Sequence, residues 1–167
     1  MLNKNNFLLA VISIIILINP VVQAEGFENP QAFTEYIYNS YSERDFSEVY
    51  NNFAAELKRI LPENKYTEFQ QQNFEKYQLK YTEIKVSAAK EIDFKTIKDK
   101  FDYADDFGSY YQLQVSYLLK FKHFGSREEK SEKKVYIRKI NDDFQIFWDY
   151  KNALNNDEAA EPADKNE

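Results

Sequence analysis

Cysteine is absent from this 167-residue chain, which also holds a single histidine and only three glycines. Without cysteine there are no disulfide staples and no lipoprotein tether through an N-terminal Cys, so the fold has to rest on its core. One histidine and no cysteine leave no usual zinc set and no Cys–His pair, and a Ser-His-Asp device would have only His123 as its base. His123 follows the last alternating residues of a strand, beside Lys122 and a turn at Gly125, where a solvated strand-end residue is the plainer reading. Gly26, Gly108 and Gly125 are too scattered for a phosphate-cradling loop. A basic stripe is missing as well. Lys and Arg number 22 against 28 Asp and Glu, a net charge of −6, and the nearest basic stretch, 127–139, is interrupted by Glu128, Glu129 and Glu132. That balance excludes nucleic acid as an expected partner.

What the chain does have is aromatic area: 13 Tyr and 14 Phe. Tyrosine carries a polar tip that needs water or a partner when buried, so this richness suggests either a large core or a lined pocket. The chain opens with a weakly basic start at Lys4, an apolar run from Phe7 to Ile18, and small residues at Val22 and Ala24 before Glu25. The run is short of the roughly 20 apolar residues of a spanning helix, so 1–24 reads as a cleaved signal peptide and the protein as exported, periplasmic or secreted, with no membrane contact after cleavage. Residues 25–151 then form one domain, and 152–167 an acidic disordered tail, with no large apolar residue from Asn155 to Glu167.

Periodicity sets the element types. Asn29 and Pro30 open a helix with Phe33, Tyr36, Ile37 and Tyr41 at helical spacing. Asp45, with Glu48 three residues on, caps a second helix that keeps Phe46, Val49, Tyr50, Phe53, Leu57, Ile60 and Leu61 on one face until Pro62. A third helix runs from about Glu63 to Tyr77; its Gln70-Gln71-Gln72-Asn73 run places it largely at the surface. From Tyr81 the period becomes two, with Ile84, Val86, Ala88, Ile92 and Phe94 sharing a parity and a bend near 88–91. Phe101 and Tyr103 suggest a further short strand. Tyr111, Leu113, Val115, Tyr117, Leu119 and Phe121 make one apolar face of a long strand, Val135 and Ile137 continue it after a turn, and Phe144, Ile146, Trp148 and Tyr150 close it after the polar turn at Asn141–Asp142–Asp143. The expectation is an α+β domain: three N-terminal helices packed on an antiparallel sheet of four to five strands.

Two stretches carry a resemblance. ERDFSEVYNNFAAELKRILPENKYTEFQQ resembles the helical half of the nuclear transport factor 2-like (cystatin-like) superfamily, whose exported bacterial members place a -DF-xx-Y- helix before a Leu-Lys segment and a helix opening near Pro or Ser. RKINDDFQIFWDY is similar to the closing hairpin of those small exported domains, and the match runs from about Pro30 to Lys151; at YQLKY (Tyr77–Tyr81) the chain departs from relatives that place a Gly there. The resemblance implies a curved sheet wrapped around the helices as a cone, whose mouth in family enzymes holds a catalytic Asp, Tyr or His and in other members binds an apolar ligand or is filled. It also implies homodimers through the sheet.

No catalytic constellation stands out. Asp149 beside Trp148 is the one acid set against aromatics, and its parity puts it off the core face. Asp99, Asp102, Asp105 and Asp106 have no calcium-loop spacing, so a solvated turn is the plainer reading and neither metal nor cofactor is expected. The expected function is a non-catalytic exported binding or interaction domain. Its expected partners are an apolar small molecule lodged by Tyr36, Tyr117 and Trp148, or a protein docking on a back face marked by Leu118 and Phe147. The alternative is a small isomerase or dehydratase using Tyr and Asp in the cone.

Overall fold

A computed structural model of the chain describes residues 26–122, 125–151 and 154. Residues 1–25, 123–124, 152–153 and 155–167 lie outside the described residues, and with them the expected signal peptide, His123 and most of the expected tail 152–167; of that tail Leu154 is described and packs against the core. The architecture is α+β, with five helices and one open antiparallel sheet of five strands. The elements are α1 (Pro30–Ser42), α2 (Phe46–Asn51), α3 (Ala55–Ile60), α4 (Glu63–Lys76), β1 (Lys80–Val86), β2 (Lys90–Ile92), α5 (Phe94–Lys98), β3 (Ser109–Lys122), β4 (Ser126–Ile140) and β5 (Asp143–Ile146). The sheet order is β1-β3-β4-β5, with β2 also pairing β3. Among the described residues no helix is long and apolar enough to cross a membrane.

The helix starts follow from their caps. Asn29 accepts from the Ala32 N–H at the start of α1, and Asp45 accepts from the Glu48 N–H at the start of α2. Glu48 does not reach back to complete a capping box; its carboxylate accepts from the Tyr36 hydroxyl and the Asn52 amide. The expected second helix is two. Its apolar face is continuous in sequence, but the backbone breaks at Asn52–Ala54, where Ile146 N–H donates to Asn52 O and Ala54 N–H donates to Ile146 O. Backbone groups that would have closed a helical turn are used to hold β5 instead. Four helices therefore precede the sheet.

The β3–β4 hairpin is the spine. Its strands pair without a slip from Ser109↔Lys139 to Lys122↔Ser126. β1 lies on the β3 side, and β5 pairs only with Ile137–Ile140 on the β4 side. Among the described residues no strand lies beside β4 from Ser126 to Val135 on the side away from β3. A bulge between Thr82 and Lys85, with Glu83 at φ +54°, resets the parity of β1, so Tyr81 joins Ile84 and Val86 against the helix-side core. The expected strand at Phe101–Tyr103 is absent from this topology. Asp93 instead caps α5 by accepting from Thr96 N–H, and Ile97 and Phe101 pack inward as a helical i, i+4 pair.

Both faces of the sheet are covered. On the helix side, Phe33, Ile37, Val49, Phe53, Leu57 and Phe74 pack against Leu113, Val115, Val135, Ile137, Phe144 and Ile146. On the other side, Ala54, Ile97, Phe101 and Ala104 pack on Tyr110, Tyr136 and Phe147. Phe147, expected as part of an exposed docking patch with Leu118, is only 4% exposed and stacks on Phe101 with ring centroids 5.4 Å apart. The cause is α5 and the loop after it, which close over that face. Leu118 is half-buried.

The second layer is pinned by a buried ion pair. Arg138, 0% exposed, donates to both oxygens of Glu56 at 2.6 and 2.7 Å and to Gln145 Oε1 at 2.6 Å, and its guanidinium lies 3.8 Å from the Phe107 ring centre. Glu56 Oε1 also accepts from Asp105 N–H at 3.0 Å. This ties α3, the 99–108 loop and β4 together. Gly108 closes the same loop at φ +90°, where a Cβ would come within 2.3 Å of the Lys139 carbonyl oxygen, so only glycine fits there.

Candidate functional site

A cavity of about 90 Å³ lies between α1, α2, α4 and the helix-covered face of the sheet. Its wall is largely phenolic. α1 supplies Tyr38 and Tyr41 three residues apart, α4 supplies Tyr66 and Gln70 four apart, β1 supplies Tyr81 and β3 supplies Tyr117. Trp148, just past β5, stacks on Phe53 at 5.9 Å and meets Tyr66 edge-on at 5.1 Å. Lys133 of β4 stands where the cavity meets an outer cleft of about 520 Å³, whose lining adds Lys100, Phe101, Glu132, Tyr136, Phe147 and Asp149.

The polar ends of this wall are unusual in one respect. Tyr41 donates to Gln70 Oε1 at 2.8 Å. Among the described residues, the hydroxyls of Tyr38, Tyr66 and Tyr117 meet no protein hydrogen-bond partner. Burial pushes the pKa of each above the ordinary phenol range, most strongly for Tyr38 and Tyr66, and the Tyr38 hydroxyl is raised further by Tyr117 and Tyr81. Tyr81 is pushed up to about 12, chiefly by burial. Groups that raise one another in this way face a common space, and all of them keep their protons at neutral pH. A space of this size with several polar partners has room for ordered water or a small polar head.

Lys133 shares parity with Val135 and Ile137, so its side chain rises from the apolar face. The residue as a whole is exposed, but its ammonium end lies among packed side chains, where burial lowers its pKa while Asp149 pulls the other way.

Of the residues expected to line a pocket, Tyr117 and Trp148 do so and Tyr36 does not. Tyr36 is 37% exposed, packs on Phe27 and donates to Glu48 at 2.8 Å on the outside of the helices. It lies two residues before Tyr38, which is a half-turn away on α1 and takes the inward place. Gln70, read as surface from its polar run, is 4% exposed and lies inside. Its signal was the spacing Tyr66, Gln70, Phe74, one helical stripe. Lys133 had a signal too, a charge on the apolar parity of β4.

The acidic residues of the 99–106 loop are engaged elsewhere. Asp102 pairs with Lys151 at 2.5 Å, Asp105 with Arg59 at 3.1 Å, and Asp106 lies beside the Tyr110 hydroxyl. Asp149 lines the outer cleft, not the cavity. Among the described residues no group of His, Cys, Asp or Glu is arranged to hold a metal ion.

No family model matches the chain, and no curated protein matches it. Among solved structures, the chain is similar to a SEC-C motif-containing protein from Rhodopseudomonas palustris, known from a solution structure, at 13% identity and a TM-score of 0.44 over 71% of this chain and 75% of that one. The expected membership of the nuclear transport factor 2-like superfamily is corrected accordingly: the similar structure bears another description, and no family model supports the superfamily. The residues that suggested it are local features. A capped -DF-xx-Y- helix start and a two-residue hairpin turn arise wherever a short helix or a tight hairpin is needed, and the quoted helical stretch is broken at Asn52–Ala54.

Proposed function

We propose that this protein is an exported, non-catalytic binding domain that holds a small molecule in the tyrosine-lined cavity. The finer architecture expected from the sequence, helices closing a curved, cone-like sheet, is part of the proposal. The observation that carries it is the convergence of Tyr38, Tyr66 and Tyr117 hydroxyls, without protein partners, on one half-open space beside Trp148. A core built only for stability pairs its buried polar ends or omits them. Aromatic walls with a few polar groups are the usual make-up of a ligand site. The isomerase or dehydratase alternative needs a carboxylate among the phenols; the cavity lining has none, and Glu132 and Asp149 stand in the outer cleft.

The test is purification of the chain from its native host, native mass spectrometry, and extraction of the denatured protein. The expected result is a mass increment that is lost on denaturation and recovered as a small molecule in the extract. A chain of bare mass whose Trp148 emission does not change on unloading in organic solvent would overturn the reading. Export is checked in the same preparation by the N-terminus of the recovered chain, expected at Glu25.

A further inference from the structure

We infer that the ligand is a small monocarboxylic acid that enters head first, its carboxylate among the tyrosine hydroxyls and Lys133, its apolar body leaving past Trp148 into the outer cleft. The inference rests on the cavity being a binding site and adds what it recognises.

Three observations decide the chemistry. The first is sign. The cavity lining contains one charged side chain, Lys133, and no carboxylate, and at the entrance Lys100, Lys133 and Lys134 outnumber Glu132 and Asp149, so the balance favours an anion over a cation. The second is hydrogen-bonding capacity. Tyr38, Tyr66, Tyr81 and Tyr117 keep their protons at neutral pH and Gln70 has an amide N–H₂ left after its oxygen receives Tyr41. A wall rich in donors calls for an acceptor, and an ionised carboxylate only accepts. A neutral apolar guest would cut these hydroxyls off from water and leave them unanswered, at about 1–3 kcal/mol each. The third is size. About 90 Å³ is less than the roughly 150 Å³ that holds a benzene ring, so a head group and a few carbons fill it. The larger cleft beyond Lys133 takes the remainder against Ile146, Trp148, Phe101 and Phe147. A single ammonium suits a singly charged head better than a phosphate dianion.

Trp148 is the only tryptophan in the chain and lines the cavity, so its fluorescence reads occupancy without a label. The experiment titrates the full chain with octanoate, octanol and octyltrimethylammonium, three guests of like length and different head. Octanoate is expected to saturate at a concentration lower than octanol by at least about tenfold, the worth of one charge-assisted contact, with the cation weakest. Lys133→Met is expected to abolish the preference for octanoate while leaving octanol binding intact. Tyr117→Phe, which removes a hydroxyl and keeps the ring, is expected to weaken octanoate alone; it guards against a folding defect in the lysine variant. Equal binding of octanoate and octanol, or preference for the cation, overturns the carboxylate inference and leaves the cavity as a site. No saturable change with any of the three overturns both.

Discussion

The two faces of the sheet bury polar groups in opposite ways. On the side covered by α5, Arg138 is answered by Glu56 and Gln145, and the Tyr110 hydroxyl by the 105–107 loop; among the described residues only Arg138 Nε is buried without a hydrogen-bond partner. On the side covered by α1, α2 and α4, tyrosine hydroxyls face a cavity and have no such partners. The first set is closed off from water and almost saturated, whereas the second opens on a space that water can enter. A saturated network specifies geometry, because any shift breaks several bonds at once. An unsaturated wall holds its groups in reserve for water or a guest. The difference is the ground on which the cavity, and not the ion-pair side, is proposed as the site.

The largest expected effect comes from breaking the saturated side. Glu56→Ala leaves the Arg138 guanidinium charged and uncompensated in the interior, and urea denaturation should show a loss of about 3–5 kcal/mol. Replacing both partners, Glu56→Leu with Arg138→Met, should recover most of that loss. If the double variant is as unstable as the single one, the network's worth lies in packing with Phe107 instead of charge.

Acid should act through the same pair. Burial by itself would raise the Glu56 carboxyl, but the Arg138 hydrogen bonds and the amides of Glu56 and Asp105 outweigh it and hold it below its ordinary value. A carboxyl with a depressed folded pKa contributes stability that is complete above its unfolded pKa and lost as pH falls through the folded one. Thermal melts should therefore be steady above about pH 5 and fall below about pH 4, and the double variant should show a shallower fall.

Two hydroxyl deletions sharpen the contrast at smaller scale. Tyr110 accepts from Phe107 N–H at 2.8 Å and lies within donating distance of the Phe107 and Asp105 carbonyls, at 3.0 and 3.1 Å. Tyr110→Phe should cost about 1 kcal/mol or somewhat more. Tyr66→Phe, on the cavity side, should change stability by less than about 0.5 kcal/mol, or raise it. Equal losses at the two positions would mean that the Tyr66 hydroxyl has a fixed partner in solution, and the cavity would belong with the scaffold.

The α+β class and the antiparallel hairpins were legible because parity is a local property. Leu113, Val115, Val135, Ile137, Phe144 and Ile146 all face the helices as their alternation requires. Long-range backbone bonding was not legible. Nothing in Asn52–Phe53–Ala54 announces that Ile146 will take its hydrogen bonds, so α2 and α3 read as one helix. Nor does Glu83 signal the bulge that turns Tyr81 to the core, since a positive φ at a charged residue is imposed by the neighbouring strand. The site was half legible: Tyr117 and Trp148 follow from strand parity, whereas Tyr38 and Gln70 depend on how α1 and α4 are rotated, which only the packed sheet decides. The superfamily resemblance failed because it rested on short-range features that many folds share.

The bare edge of β4 bears on how crowded a solution of this protein can become. Seven of the eight residues from Arg127 to Lys134 are charged. A second copy laid antiparallel about the middle of that segment would set Arg127 against Lys134 and Glu129 against Glu132, like charge on like, and Glu128 against Lys133, opposite charges. Such an edge resists recruiting another chain into a growing ladder. Lys133 is one of those edge charges as well as the residue proposed to meet the ligand.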